Sequence, residues 1–303
     1  MNRVAPNTHV KSFDWRDLDV AFGELLKLRR ESLDDDSREL GHRCWALITS
    51  VYGQCDLEYE TDRPEAIRGI ISVIRKETSL RFLAGVCVDF FPYFLLWKTP
   101  SDCELRPFGS LQRKDGDSSL EQAPSWSVTY LKAPRCIGYL PWVAVYMEAL
   151  CFGVHIDEER LQLSFTAKSV GPFLIQMEGP TENELENHLA GIITLIPTSL
   201  PNNTSYSEVY MKARWKLSEP PLTSTTFTFS LDIALETPVE AHLVTLARRK
   251  GEENCWEGIL VNRIDGEGDF WRRIGVFDLD ARHYNRKETT DDVFEVERQW
   301  VLR

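Results

Sequence analysis

The chain has 303 residues, of which 43% are hydrophobic, and it carries a net charge of −12 at pH 7. The apolar content is enough for a large core in one domain or in two ordinary domains. The acidic balance argues against nucleic acid and anionic membranes as partners, because both are bound through clusters of Lys and Arg.

The N-terminal 100 residues show the patterns of helices. The first fifteen residues lack the apolar segment of a secretory signal, and apolar residues recur at helical spacing over residues 12–50. The charged run at residues 29–40 indicates a solvated face. The clearest helix covers residues 61–77, where proline falls in the first turn and an apolar stripe follows: Pro64, Ile67, Ile70, Ile71 and Ile74.

Residues 82–98, "FLAGVCVDFFPYFLLWK", are the most apolar stretch of the chain. A membrane-spanning helix needs about 20 apolar residues, whereas this run is shorter and contains Asp89 and Pro92. Because proline costs about 3 kcal/mol inside a helix, we predict two short buried helical turns or one kinked helix. If Asp89 is buried, its carboxylate needs a partner or a raised pKa.

The pattern changes after residue 100. Residues 101–124 are polar and contain Pro, Gly and Ser throughout, which predicts a linker loop. Segments of five to eight residues then alternate or run apolar, as strands do, with one helix at residues 181–191. Residues 161–170 and 172–179 form two of these strands, residues 255–279 are two strands around a turn, and residues 293–302 close the series.

These patterns predict an α+β fold. A helical subdomain over residues 1–100 packs on a mainly antiparallel β sandwich or barrel over residues 125–303, and the two form one compact unit.

Three stretches resemble the region that follows the signature domain in fungal heterokaryon-incompatibility (HET) proteins. They are "CWALITSVYGQCDLEYETDRPEAIRGI", "FLAGVCVDFFPYFLLWK" and "RPFGSLQRKDGDSSLEQAPSWSV". The resemblance covers residues 40–130 and, more weakly, the last fifty. The residues that fall on the family pattern are Trp45, Tyr52, Asp62, Arg63, Ala66, Ile67, Gly69, Gly85, Leu95, Leu96, Trp97, Ala123, Pro124, Ser125 and Trp126.

The resemblance implies a fungal origin and a shared fold for this region. The chain departs from the pattern where Val86 or Cys87 replaces an aromatic residue, and where Val128 replaces the second Trp of the "SWSW" motif. The family's HET domain, which is thought to trigger cell death, has no counterpart in the forty residues before the match. We therefore expect a chain that keeps the fold without that activity.

The common motifs of nucleotide, zinc and hydrolase chemistry do not occur in the sequence. Seven cysteines without a CxxC pair, together with the missing signal, predict a cytoplasmic protein without disulfides. Two acidic strings match the DDxxE form that binds magnesium diphosphate, but 47 acidic residues produce such strings by chance. We expect no metal and no cofactor. The strings are Asp35, Asp36 and Glu39, and Asp291, Asp292 and Glu295.

Three polar residues are candidates for acid–base chemistry. Glu148 is the only charged residue in the apolar run 139–152, so we expect a buried carboxyl that donates a hydrogen bond to a substrate carbonyl. His155 and Asp157 share a face if they lie on a strand, which would raise the pKa of the imidazole. The other interpretation is a strand end that runs into a polar turn.

Aromatic residues are concentrated around the expected junction of helices and sheet. We predict that they line one apolar cavity for a small-molecule substrate; the alternatives are an ordinary core and a protein interface. The predicted lining residues are Phe90, Tyr93, Trp97, Trp126, Tyr139, Trp142 and Tyr146.

Two functions fit these features. One is a cofactor-independent cyclase or isomerase of a polyketide or terpenoid, including a pericyclic ring closure of the Diels–Alder type, that works by holding a folded conformer. The alternative is a non-enzymatic recognition module related to heterokaryon incompatibility. A metal-dependent terpene cyclase ranks last, because that fold is all-helical.

Overall fold

The protein was studied as a computed structural model, and statements about its structure refer to the residues that the structure describes. These are residues 15–54, 63–98, 106–107, 124–127, 138–139, 147–178, 192–197, 211–214, 226–231, 233–234, 238–251, 255–264, 266, 268–280 and 296–303. The helix expected at residues 181–191 lies outside them.

Three helices form the N-terminal part, as the periodicity predicts. They are α1 (Trp15–Lys27), α2 (Asp35–Gln54) and α3 (Arg63–Thr78). The Asp34 carboxylate caps α2 by accepting the backbone N–H of Ser37 at 2.8 Å. The apolar stripe of α3 is buried against α1 and α2 in a helical core, which also contains Leu25, Trp45, Phe82 and Phe90.

Residues 82–98 do not form the kinked helix that was one of the two predictions. They begin as a hairpin of β1 (Phe82–Leu83) and β2 (Val86–Cys87), because Ala84 and Gly85 adopt positive φ values of 47° and 80° in the turn. Single 3-10 turns at Val88–Phe90 and Tyr93–Leu95 follow, and they are the two short buried turns of the other prediction. Strand β3 (Trp97–Lys98) ends the segment.

Asp89 has the partner that its burial requires. Its carboxylate accepts hydrogen bonds from the backbone N–H of Arg81 at 2.7 Å and from the Arg81 guanidinium at 2.6 and 2.9 Å. The Arg30 side chain lies 3.6 Å from the same carboxylate. This ion cluster joins the base of the β1–β2 hairpin to the connection between α1 and α2.

Strands dominate the second part of the chain, so the α+β class is confirmed. The strands are β4 (Arg106–Pro107), β5 (Gly138–Tyr139), β6 (Met147–Ala149), β7 (Phe152–Asp157), β8 (Gln162–Glu178), β9 (Ile192–Pro197), β10 (Met211–Arg214), β11 (Thr226–Leu231), β12 (Ile233–Ala234), β13 (Val239–Arg249), β14 (Cys255–Arg263), β15 (Trp271–Asp280) and β16 (Val296–Leu302).

Ten of the described strands belong to one sheet, in the order β10-β9-β8-β16-β15-β14-β13-β6, with β11 beside β15 and β7 beside β8. Within it, all described pairings are antiparallel except a single parallel contact between β15 and β16. Strand β13 also pairs with β8, so the series β8-β16-β15-β14-β13 returns to β8.

The hairpin predicted at residues 255–279 and the closing strand are both confirmed, as β14–β15 and β16. The two strands expected at residues 161–170 and 172–179 are instead one continuous strand, β8. Gly171 makes this possible because it adopts a φ of 130°, and an added Cβ would lie 3.1 Å from the Ala241 carbonyl.

Both faces of the sheet are covered by apolar residues. On one face, strand residues pack with residues 86–97 and Trp126; we call this cluster the aromatic core. Alternate residues of β13 and β14, such as Leu243 and Leu260, pack in a second cluster on the other face. In the part of the chain that the structure describes, no helix has the length and apolar character needed to cross a membrane.

Candidate functional site

Four of the aromatic residues predicted to line a cavity are packed inside the protein. Trp97 and Trp126 are both 0% exposed, and Tyr93 is buried beside them in the aromatic core. The Trp97 indole donates a hydrogen bond to the Trp126 carbonyl at 3.2 Å, and the Tyr93 hydroxyl donates to the Met147 carbonyl at 3.2 Å. The side-chain donors of Trp97 and Tyr93 are therefore engaged by backbone carbonyls.

Phe90 does not join the other three, because it packs in the helical core. Tyr139 pairs with Trp97 through the backbone of β5 and β3, and nothing is described of its side chain. Trp142 and Tyr146 lie outside the described residues.

A buried arginine completes the surroundings of Trp97. The Arg273 guanidinium lies 3.4 Å from the centroid of the Trp97 ring and donates a hydrogen bond to the Trp97 carbonyl. The backbone N–H of Arg273 donates to the Ser125 hydroxyl at 3.0 Å, and that hydroxyl donates to the Arg303 carbonyl at 2.6 Å. Residues 124–127 thus tie β15 to the end of β16, which gives Trp126 a structural role.

The three polar candidates lie on two strands that diverge from a common point. Strand β6 runs antiparallel along β13 until the Leu150 N–H donates to the Leu246 carbonyl at 2.9 Å, and β7 then runs antiparallel along β8. On this side the pairing of β8 with β13 ends at Ser169 and Val244, and the two strands diverge beyond that point. Because β6 follows β13 and β7 follows β8, β6 and β7 diverge as well. We call residues 147–157 the wedge.

Glu148 is not the buried acid that was expected. Its side chain is 50% exposed and forms an ion pair with Arg248 at 2.7 Å. The register explains this outcome, because Glu148 lies directly opposite Arg248 on β13 and the two side chains share the outer face. Met147, its neighbour, points inward and is fully buried.

His155 and Asp157 do lie two residues apart on β7, as the strand prediction requires. His155 is exposed, whereas the Asp157 carboxylate accepts the Arg160 backbone N–H at 3.0 Å and lies 3.7 Å from the Arg160 guanidinium. The carboxylate is thus oriented by Arg160. The wedge brings all three polar candidates to the surface.

Apolar side chains of the wedge also face solvent. Phe152 is 56% exposed and Val154 is 44% exposed. A β-bulge separates Phe152 from His155, and Gly153 within it has a φ of 64°. Among the described residues β7 pairs only with β8, so the opposite edge of β7 has no described strand beside it.

The buried polar residues next to the wedge were missed from the sequence. Glu39, expected on a solvated face, is only 5% exposed and accepts a hydrogen bond from the Met147 backbone N–H. Burial raises the pKa of its carboxyl. The available signal was the spacing of Glu39, His42 and Ala46, which puts Glu39 on the apolar face of α2.

His42 is buried below the Tyr93 ring, with 6.1 Å between the ring centroids. Burial lowers the pKa of His42 to about 3 and raises the pKa of Tyr93. Both groups are therefore neutral at physiological pH. Tyr93 and Glu39 of α2 both bond to the backbone of Met147, on β6.

A second buried histidine lies on the other side of the aromatic core. The His242 ring meets the rings of Trp271 and Trp300 edge-on, with centroid distances of 5.1 and 5.5 Å. The Arg298 guanidinium covers both indoles at 4.5 and 4.0 Å from their centroids. Burial, and then the charge of Arg298, lowers the pKa of His242 to about 4.

Buried charges elsewhere on the sheet pair with one another. Arg249 lies 2.7 Å from the Asp278 carboxylate and 3.5 Å from that of Glu257, which is fully buried. Glu257 and Asp278 are opposite each other on β14 and β15. One guanidinium thus holds two neighbouring carboxylates, as in a structural ion network.

The first acidic string is divided among different partners. Asp35 pairs with Arg38 at 3.1 Å, Asp36 pairs with Lys250 at 3.3 Å, and Glu39 is buried. The second string lies outside the described residues. No group of three potential metal ligands occurs in the described ranges.

Four cysteines are described, and all four are free thiols: Cys44, Cys87, Cys151 and Cys255. Burial raises the pKa of Cys44 to about 11 and that of Cys151 to about 12. Because the thiolate is the nucleophile, the raised pKa values keep Cys44 and Cys151 in the less reactive thiol form at neutral pH.

Comparisons with known proteins found no matching family model, no matching curated protein and no matching solved structure.

Proposed function

We propose that this chain is a recognition module that binds a protein partner at the wedge. The observation that carries the proposal is the exposure of Phe152 and Val154 on a strand with one described pairing edge. Exposed apolar residues on a sheet edge are features of interaction sites. By contrast, four of the aromatic residues expected to bind a substrate are packed in the cores: Phe90, Tyr93, Trp97 and Trp126.

The protonation states of the described residues also support recognition over catalysis. A general base is most effective when its pKa lies near the working pH. Burial instead moves the pKa of His42 to about 3, of His242 to about 4 and of Cys151 to about 12. His42 and His242 are thus weak bases, and Cys151 is held as the less nucleophilic thiol.

The proposal extends the resemblance to the region that follows the HET domain, whose proteins act in recognition between cells. We also propose that the protein is fungal and cytoplasmic. The free thiols of the four described cysteines fit a reducing compartment. We further propose that the large sheet closes into a barrel, and the pairing of β13 with β8 supports this closure.

Selection from a displayed library of random twelve-residue peptides tests the proposal. The wild-type protein is expected to enrich specific peptides, whereas the double variant Phe152→Thr, Val154→Thr is not. Threonine removes the apolar groups but keeps a high strand propensity. Enrichment of the same peptides by both proteins, or of none by either, would contradict the proposal.

A matched control is available on the helices. Val20 and Val73 are exposed apolar residues of α1 and α3, at 63% and 49%. The double variant Val20→Thr, Val73→Thr removes a similar apolar surface, and it should enrich the same peptides as the wild type.

A second candidate function is the cofactor-independent cyclase or isomerase, and one observation favours it. Glu39 is a buried carboxyl with a raised pKa next to β6, which is the usual state of a general acid. In this function Glu39 replaces Glu148 as the acid. A polyketide or terpenoid that protects Glu39 from titration, and whose conversion is lost in Glu39→Gln, would favour the enzyme.

A further inference from the structure

Strand β7 offers an edge to which another strand can add. Its first four residues are all exposed, although one face of a strand in a sheet is ordinarily buried. One of its edges pairs with β8, and no strand among the described residues pairs with the other edge, so an incoming strand can be accommodated there. Proteins bind extended peptides in this way, with main-chain hydrogen bonds supplying the affinity.

The residues of this edge do little to prevent such pairing. Natural sheet edges are blocked by Lys, by Pro, by bulges or by inward charges. Residues 152–156 contain neither Lys nor Pro and no Asp or Glu, and the bulge at Gly153 is the only such feature. Beyond the bulge, residues 155–157 offer a regular stretch for pairing, and the exposed side chains of Val154 and Phe152 offer apolar contacts before it.

The charges at the two ends of β7 differ. The turn after β7 carries Glu158 and Glu159, both exposed, whereas the start of the strand carries exposed Phe152. Asp157 in the same region is already paired with Arg160. A segment that adds here therefore meets negative charge at one end of β7 and apolar surface at the other.

We infer that the wedge binds an extended, cationic segment of a partner protein by adding it antiparallel to β7; this inference rests on the proposed recognition function. Antiparallel pairing is the more stable arrangement, and it places the N-terminal end of the segment beside Glu158 and Glu159. The segment thus carries Lys or Arg first, followed by apolar residues at alternate positions that reach Val154 and Phe152.

A second copy of this chain is a poorer occupant. Each copy has a net charge of −12, and in an antiparallel pair the glutamates of one copy would lie beside the apolar start of β7 in the other and meet no cation. Like charges at an interface weaken association and lower its rate. A cationic segment gains from the same charges.

Synthetic peptides test the mode of binding directly. The probe is the peptide KRVTVTV, and the charge control is the acidic peptide EEVTVTV. The hydrogen-bond controls are two KRVTVTV peptides, one N-methylated at the odd-numbered residues and one at the even-numbered residues. We expect KRVTVTV to bind the full chain at least about tenfold more tightly than either control, a difference of about 1.4 kcal/mol.

Each other result identifies what has failed. Equal affinity for the N-methylated peptides would overturn strand addition, and equal affinity for EEVTVTV would overturn the cationic segment, while recognition at the wedge would stand. Self-association that Val154→Lys abolishes would make a second copy the occupant and overturn the inference. If KRVTVTV does not bind although random peptides were selected at the wedge, the inference alone fails.

Discussion

The aromatic core and the wedge meet at Met147, yet their side chains are in opposite states. Trp97 and Trp126 are fully buried and joined by a hydrogen bond, and Arg273 covers Trp97. Phe152 and Val154 lie a few residues beyond Met147 and face solvent. The comparison teaches that aromatic content alone does not indicate a binding site. The exposed aromatic residue on the sheet edge, and not the larger buried group, is free to contact a partner.

The largest difference should appear in stability. Trp97→Ala is expected to lower the free energy of unfolding by about 3–5 kcal/mol, because it leaves a cavity in a packed core. Phe152→Ala removes an aromatic ring that is already half in water, and about 1 kcal/mol or less should be lost. Urea denaturation measures both. Similar losses for the two variants would break the distinction between core and wedge.

A buried and an exposed histidine make a second comparison. The pKa of His42 is lowered to about 3 from 6.5. Its contribution to stability is therefore fully present above pH 6.5 and is lost as the pH falls toward 3, because only the unfolded chain takes up the proton. Unfolding measured between pH 7 and pH 3 should show a shallower acid limb for His42→Gln. His155→Gln, on the exposed strand β7, is the surface control variant, and equal acid limbs for His42→Gln and wild type would contradict the burial of a neutral His42.

Glu39 should act with the opposite sign. Its pKa is raised above 4.5 by burial, so the folded protein holds the proton more tightly than the unfolded chain. Its contribution to stability is fully present below pH 4.5 and is lost as the pH rises through the folded pKa. The difference in unfolding free energy between wild type and Glu39→Gln should change across this range. A difference that is constant with pH would show that Glu39 titrates normally.

The smallest effect is expected at Glu148. Its ion pair with Arg248 lies at the surface, with the carboxylate 50% exposed, and such pairs contribute about 0–1 kcal/mol. Glu148→Ala should change the midpoint of urea unfolding little, and high salt should reduce even that change. A loss of several kcal/mol would restore the buried acid that the sequence suggested.

These comparisons also separate what the sequence could predict from what it could not. Periodicity located α3, the β14–β15 hairpin and β16, because each has one clear pattern over its whole length. It failed at residues 82–87, where the positive φ of Ala84 in the turn is a conformation that alanine rarely adopts.

The site was harder to predict for a different physical reason. Alternation along a strand separates Met147 from Glu148 onto opposite faces, but the neighbouring residues are apolar on both faces. The side that points inward is decided by pairing with β13, a strand one hundred residues away. Glu39 was missed because its burial depends on the Met147 peptide, which is equally distant in sequence.

The central claim is that binding takes place at the wedge and not in the aromatic core. Hydrogen exchange of the full chain, with and without a peptide selected from the library, tests it most directly. We predict slower exchange of the outward-facing amides in residues 152–157, with no change at residues 93–97 or 124–127. Protection around Trp97 and Trp126 with β7 unchanged would contradict this account and favour a ligand site inside the core.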